Sequence, residues 1–108
     1  MSKENLTKEN LTKEFMMHVE GAFKAAQSIR EQRGTGYNNG IAIHEYFPHG
    51  VQDITYEVGK KLKRVDSCLN AIAAGKSIDG PVEDSILDSI NYLAFAYAYH
   101  KMQGEGKI

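Results

Sequence analysis

Three polar side chains lie at helical spacing at the start of an apolar, aromatic run near the C-terminal end of the chain. They are Asp84, Asp88 and Asn91, within the run Val82–His100. Because an α-helix turns about 100° per residue, the three fall within a sector of about 60°. A helix that is apolar on nearly all sides is mostly buried, and a buried carboxylate needs a cation beside it. That cation is either a protein side chain or a bound metal ion, and the pattern leaves both open.

A second charged set lies on the preceding helical segment, where Glu57, Lys61 and Arg64 share one side. If the two helices pack antiparallel, this set faces Asp84 and Asp88. Carboxylates on paired helices suit Mg²⁺, which one or two protein carboxylates hold together with water and substrate phosphates. Lys61 or Arg64 would then contact phosphate, Arg64 in bidentate fashion. This interpretation predicts a nucleoside polyphosphate site with a metal at Glu57, Asp84 and Asp88.

The same residues also fit a purely structural interpretation. Glu57 and Lys61 form an i,i+4 pair in the favoured order. Lys61 and Arg64 would then neutralise Asp84 and Asp88 as salt bridges between the helices. The two interpretations differ in what lies beside the acids, because a ligand site needs a cavity there and a set of salt bridges does not.

Three tyrosines, Tyr92, Tyr97 and Tyr99, surround the last helical segment. They carry more aromatic surface than a three-helix monomer can easily cover. Packing against a second subunit is the expected use. The more specific alternative is that a nucleobase stacks on Tyr92 or a neighbouring ring.

The hydrophobic periodicity predicts an all-α fold with three helices, at about 12–33, 53–74 and 82–102. Asp53 is the expected cap of the second helix, and Gly75 lies just past its end. The apolar stripe predicted for this helix steps by three and four residues, through Ile54, Val58, Leu62, Val65, Leu69 and Ile72.

The long segment 34–50 is rich in glycine and contains Pro48, so it is expected to be a loop with at most a short helical turn at 41–46. A loop of this length in a compact domain is more often functional than filler. Ile41, Ile43 and Phe47 are expected to anchor it to the core. Residues 1–11, with a five-residue repeat, are predicted to be a flexible lead-in, 12–103 a single helical domain and 104–108 a disordered tail.

Composition sets limits on the class of protein. The 108 residues are 42% hydrophobic and 25% charged, with a formal charge of −1, which is typical of one ordinary globular domain. Neither a nucleic acid nor a membrane is an expected partner, because there is no net positive charge and the apolar run Tyr92–Tyr99 is short. Met1–Asn10 has no signal-peptide apolar region, and Cys68 is the single cysteine. A cytoplasmic location is therefore the expectation.

Three stretches together resemble a known family. Gly36-Tyr37-Asn38, Lys61-Leu62-Lys63-Arg64-Val65 and Asp84-Ser85-Ile86-Leu87-Asp88-Ser89-Ile90-Asn91-Tyr92 resemble the small nucleotide-modification-associated domain of phage and bacterial proteins. That domain is similar to the all-α, MazG-like nucleoside triphosphate pyrophosphohydrolases. The similarity covers roughly residues 15–100, and its strongest part is the D-x-x-x-D-x-x-N-Y helix.

The resemblance implies a helical bundle completed by oligomerisation, with Mg²⁺ held by acids on two adjacent helices and cleavage between the α- and β-phosphates. By this resemblance Asp84 and Asp88 lie at the metal and Asn91 beside them. It places Lys61 and Arg64 toward phosphate. It also includes three further residues, Tyr37, Asn38 and Tyr92, in the ligand-binding set.

Two acids of the family pattern are replaced in this chain. Gly36 stands where related sequences tend to have an acid before Tyr-Gly, and Lys60 stands where an acid precedes the lysine of the second helix. Glu57, one turn earlier, is the substitute for the latter. Because Mg²⁺ catalysis depends on correctly placed negative ligands, two functions follow as expectations. One is a Mg²⁺-dependent pyrophosphohydrolase; the other is a protein that sequesters a nucleotide signal intact, as a phage anti-defence sponge would. A helical module that binds another protein is the third.

Overall fold

The computed structural model describes residues 7–34, 40–76 and 80–108. Within these ranges the chain forms three α-helices and one short 3₁₀ turn, and no strand. The helices are α1 (Lys8–Arg33), α2 (Val51–Ala73) and α3 (Gly80–Gly104), and the 3₁₀ turn spans Ile43–Tyr46. The prediction of an all-α, three-helix fold is confirmed. None of the described helices combines the length and the apolar character needed to cross a membrane.

Helix α1 begins four residues before its predicted start. The Thr7 hydroxyl Oγ1 accepts a hydrogen bond from the Asn10 backbone N–H at 3.1 Å and so caps the helix. Such a cap satisfies one of the backbone N–H groups that the first turn leaves without a partner. Residues 8–11 are therefore helical, and the predicted lead-in was too long by these four residues. Residues 1–6 lie outside the described ranges.

Helix α2 begins with Gly50 as its cap, and the predicted cap Asp53 lies inside the first turn. The Asp53 Oδ2 atom instead accepts the His49 backbone N–H at 2.7 Å, an arrangement close to a capping box. Gly50 has φ 73° and ψ −139°, a conformation that residues with a side chain rarely adopt. A Cβ there would lie 3.0 Å from Cε1 of Tyr99. Glycine therefore allows the chain to enter α2 close against α3.

The core lies where the 3₁₀ turn closes over α2 and α3. Phe47, Ile54 and Ala96 are buried together, and half-buried side chains surround them, namely Val51, Tyr92, Phe95 and Tyr99. The prediction that Phe47 anchors the loop is confirmed, whereas Ile41 and Ile43 remain exposed. The 3₁₀ turn explains part of this difference, because residues four apart in such a turn do not share a side.

The predicted apolar stripe of α2 is covered at only one end. Ile54 and Val58 are buried, but Leu62 and Leu69 are each half exposed. The periodicity identified the helix correctly, but a single chain does not cover the whole stripe.

Helix α3 ends in a folded cap, where the sequence predicted a disordered tail for 104–108. Gly106 has φ 72° and donates its N–H to the Gln103 carbonyl at 3.1 Å, while Lys107 donates to the Met102 carbonyl at 3.0 Å. These two hydrogen bonds form a Schellman motif, which satisfies the last carbonyls of a helix. The half-buried Ile108 lies beside Phe47 as a result.

Candidate functional site

Asp88 is held by two protein cations. Its Oδ1 atom lies 3.0 Å from Nη1 of Arg33, and its Oδ2 atom lies 3.6 Å from Nζ of Lys61. The Asp88 side chain is only 19% exposed, so these contacts supply the counter-charge that a carboxylate away from water requires. The Lys61–Asp88 bridge predicted by the structural interpretation is present. The sequence did not predict that Arg33, in the last turn of α1, contacts Asp88. The available signal was a basic residue at the end of a helix that must pack against another helix.

Asp84 and Arg64 lie apart from this pair of bridges. Both side chains are exposed, and among the described residues neither forms an ion pair. The predicted bridge from Arg64 to the acids is therefore wrong. Arg64 is rotated by about 60° around α2 from Lys61, which takes it away from α3. Asp84 lies one turn before Asp88 and is not part of its charge-paired site.

Glu57 pairs with a different lysine from the one predicted. Its Oε1 atom lies 2.9 Å from Nζ of Lys60, because Lys61 is engaged with Asp88. The hydrogen bond that the Lys60 ammonium donates to Glu57 raises the pKa of this ammonium above its ordinary value, so Lys60 is charged throughout the neutral range. The same ammonium lies 5.1 Å from the centroid of the Tyr56 ring.

A cleft of about 340 Å³ opens beside Glu57, between the 3₁₀ turn, α2 and α3. Four of its lining residues are aromatic and two are acidic. Its lining residues are Tyr46, Phe47, Asp53, Tyr56, Glu57 and Tyr92. Glu57 and Tyr92 were predicted as site residues from the sequence, and the other four were not. The signal for Asp53 was its position one turn before Glu57 on the same helix, since residues four apart share a face.

The position of Tyr92 links the cleft to the Asp88 bridges. The Tyr92 ring packs edge-on against Phe47, with centroids 6.2 Å apart, and this contact fixes one wall. The Lys61 ammonium lies 5.0 Å from the centroid of the Tyr92 ring, and the same ammonium contacts Asp88. Lys61 therefore lies between Asp88 and the Tyr92 ring. It forms an ion pair with the half-buried Asp88 carboxylate and a cation–π contact with the ring.

Asp53, the second acid of the cleft, is also held in place. The Oδ1 atom of Asp53 lies 3.1 Å from Nδ1 of His49, in addition to the backbone hydrogen bond that Asp53 accepts. The imidazole of His49 is exposed, and the Asp53 carboxylate that it contacts lines the cleft. Two carboxylates thus line the cleft, and a lysine lies beside each of two of its tyrosines.

The predicted metal set does not come together. Within 7–34, 40–76 and 80–108 there is no group of three or more His, Cys, Asp or Glu side chains arranged to hold a metal ion. Glu57, Asp84 and Asp88 therefore do not form the shared site that the sequence predicted. Asp53 and Glu57 are the two carboxylates that the fold does bring to one cleft.

Asn91 faces α1 and not a ligand. Its side-chain amide Nδ2 donates to the backbone carbonyl of Ala26 at 2.9 Å, and both residues are buried. The stripe shared by Asn91 and Asp88 is therefore the contact between α3 and α1. Tyr37 and Asn38, also predicted to bind a ligand, lie outside the described residues.

Comparison of the chain with protein-family models, with curated proteins and with solved structures returned no match. The resemblance to the MazG-like pyrophosphohydrolases therefore stays a prediction from the sequence. The case for a function has to be made from the geometry of the cleft.

Proposed function

We propose that this protein binds a nucleotide, or a small molecule derived from one, and holds it without cleaving it. The observation that carries the proposal is the aromatic cleft with Lys60 and Lys61 at its border. Its volume of about 340 Å³ is at the lower end of the range for small-molecule sites. A base and its sugar fit a space of that size.

The aromatic walls suit a nucleobase. Tyr56 is largely exposed, and Tyr92 is held in position by its contact with Phe47, so the cleft offers both an accessible ring and a fixed one. Stacking on an aromatic side chain contributes about 1–3 kcal/mol per base. Asp53 and Glu57 can accept hydrogen bonds from base amino groups or sugar hydroxyls, as carboxylates are acceptors only.

The two lysines suit the phosphates. The Lys60 ammonium lies 5.1 Å from the centroid of the Tyr56 ring, and the Lys61 ammonium lies 5.0 Å from the centroid of the Tyr92 ring. A ligand stacked on either ring would have its phosphates within reach of a positive charge. Because the hydrogen bond with Glu57 raises the pKa of the Lys60 ammonium above its ordinary value, this lysine carries its positive charge at neutral pH.

Retention without cleavage follows from how the acids are used. Hydrolysis assisted by Mg²⁺ needs carboxylates that are available to the metal. Asp88 is instead neutralised by Arg33 and Lys61. The two acids of the cleft also have partners, since Glu57 pairs with Lys60 and Asp53 contacts His49, and a metal would have to displace them. A cleft that captures a nucleotide intact is what a phage sponge against a nucleotide signal requires. We also propose that the protein is a cytoplasmic homo-oligomer, as the single cysteine and the surplus of tyrosines led us to expect.

Isothermal titration of the purified chain with a panel of linear and cyclic nucleotides tests the proposal. We expect one or more to bind and to be recovered unaltered after heat release. Tyr56→Ala should weaken binding about tenfold or more, the equivalent of one lost stacking contact. Met17→Ala is the matched control, because Met17 is 70% exposed against 68% for Tyr56 and lies outside the cleft. No detectable binding of any nucleotide of the panel, or an equal loss of affinity in both variants, would overturn the proposal.

Mg²⁺-dependent pyrophosphohydrolysis is a second candidate, and Asp53 and Glu57 favour it by lining the same cleft one turn apart. Two carboxylates together with substrate phosphates are an adequate ligand set for Mg²⁺, which would neutralise phosphate charge when bound. Pyrophosphate release by the purified chain with Mg²⁺, abolished in Glu57→Gln, would establish this activity. Release that survives Glu57→Gln would exclude the cleft as its source.

A further inference from the structure

Helix α1 carries an apolar stripe that its own chain covers at only one end. Leu11, Phe15 and Val19 lie within a sector of about 80° that also contains Ala26. At its C-terminal end the stripe is covered, where Ala26 is buried against Asn91 of α3. Toward the N-terminus it continues for three more turns, where Leu11 and Phe15 are exposed.

Helix α3 carries a second uncovered stripe. Ile86, Ile90, Leu93 and Tyr97 fall within about 60° of one another around the helix. Three of them are exposed and Ile90 is half-buried. The two stripes flank a groove of about 520 Å³ between α1 and α3, which is lined by Phe23, Ala26, Gln27, Arg30, Ile90, Asn91, Leu93 and Ala94. The groove therefore joins the covered end of the α1 stripe, at Ala26, to Ile90 and Leu93 of the α3 stripe.

The total exposed area indicates how much of this chain is left uncovered. The chain exposes 8245 Å², whereas a compact monomer of 12.0 kDa is expected to expose about 6,000 Å². The excess of about 2,200 Å² falls within the roughly 1,000–2,500 Å² that each partner buries in a permanent homodimer. The radius of gyration agrees, at 17.6 Å against about 13 Å for a compact chain of this length.

We infer that the α1–α3 face, defined by the two stripes and the groove between them, is the interface at which a second copy of this chain packs. The occupant is a second copy because the stripe on α1 continues a contact that the chain already makes with its own α3. The formal charge of −1 also produces little repulsion between two copies. This inference is independent of the ligand proposed for the cleft, whose lining residues lie outside the face.

Sedimentation equilibrium of the full chain tests the inference. We expect twice the 12.0 kDa chain mass at about 10 µM, a concentration at which permanent dimers are assembled. Phe15→Glu and Leu93→Glu should each reduce the mass to that of one chain. Two variants on different helices are used, so that a folding defect in one does not decide the result, and circular dichroism confirms the helical content of each.

Each variant has a matched control on another face. Met17 is 70% exposed against 69% for Phe15, and it lies about 160° around α1. Leu69 is half exposed, like Leu93, but lies on α2. Met17→Glu and Leu69→Glu should leave the mass at two chains.

Two results would overturn the inference. One is a wild-type chain that stays monomeric at about 1 mM, which would leave the face to a different protein or to a lipid surface. The other is dissociation by the control variants as readily as by Phe15→Glu and Leu93→Glu. Nucleotide titration of the monomeric variants separates the two proposals, since unchanged affinity with lost dimerisation assigns the face and the cleft to different tasks.

Discussion

The two ends of this molecule differ in how completely the chain covers its own apolar residues. Where the 3₁₀ turn closes over α2 and α3, Phe47, Ile54 and Ala96 are buried together. Along the first half of α1, Leu11 and Phe15 are exposed although they lie in an equally regular helix. The covered end has three elements in contact, whereas the first half of α1 has no buried residue.

The difference shows that amphipathic spacing predicts a buried face without saying what buries it. Both α1 and α2 carry apolar residues at helical spacing, yet the first half of α1 buries none of them, whereas α2 buries Ile54, Val58 and Cys68. The cleft lies at the covered end and the proposed dimer face at the uncovered end. Binding and assembly are thus assigned to separate regions, and this assignment can be tested.

The largest expected effect is at the covered end. Ile54 is 0% exposed, so Ile54→Ala should lower the free energy of unfolding by about 2–5 kcal/mol. Leu62, two turns further along α2, is half exposed, so Leu62→Ala should lower it by less than about 1 kcal/mol. Urea denaturation at one fixed protein concentration measures both. Equal losses would mean that Leu62 is buried in the assembled protein and that the covered region extends further along α2.

The helices could be predicted from the sequence because local pattern determines them. Periodicity, Gly75 after α2 and the glycines at 104 and 106 are all short-range signals, and the predicted boundaries agree with the structure to within about four residues. The start of α1 was missed because a repeat of five residues does not keep one helix face apolar. The cap formed by Thr7 was a valid signal that the repeat obscured.

The site could be predicted only in part, because side-chain partners depend on how the helices pack. The Lys61–Asp88 bridge followed from assuming antiparallel neighbours, but Arg33 comes from a third helix that no spacing rule connects to Asp88. Tyr46 and Phe47 reach the cleft from the 3₁₀ turn, whose position over α2 is a tertiary result. Glu57 lines the cleft, but its ion-pair partner is Lys60 and not the predicted Lys61, since the two lysines are adjacent in sequence.

A smaller effect is expected at the contact between the two regions. Asp88→Asn removes the charge that holds Arg33 of α1 and Lys61 of α2 against α3. Because hydrogen bonds to charged groups contribute about 1.5–3 kcal/mol, we expect a loss of about 1–3 kcal/mol in the free energy of unfolding. Asp84→Asn is the matched control, and its exposed side chain should change stability by less than about 0.5 kcal/mol.

Denaturation of the ligand-free protein checks this pair. A gain in stability for Asp88→Asn would mean that the carboxylate is held under strain for a ligand, which would restore Asp88 to the metal site and favour hydrolysis. A loss confined to Asp88→Asn would support a structural role for this carboxylate.

The smallest effect is expected at the first turn of α1. Its size indicates whether a second copy covers the first half of α1 in the assembled protein. Thr7→Ala removes the cap on Asn10 and should cost about 1 kcal/mol of local helix stability. Thr12→Ala is the control, because the Thr12 hydroxyl only bonds the Lys8 carbonyl within the helix and alanine is the better helix former. If a second copy packs on α1, Thr7→Ala should lower the global free energy of unfolding of the otherwise wild-type protein. In the Phe15→Glu protein, the same substitution should only increase amide hydrogen exchange near Asn10. A global loss of the same size in both backgrounds would show that a single chain already stabilises this half of α1, and the contrast between the two regions would then be wrong.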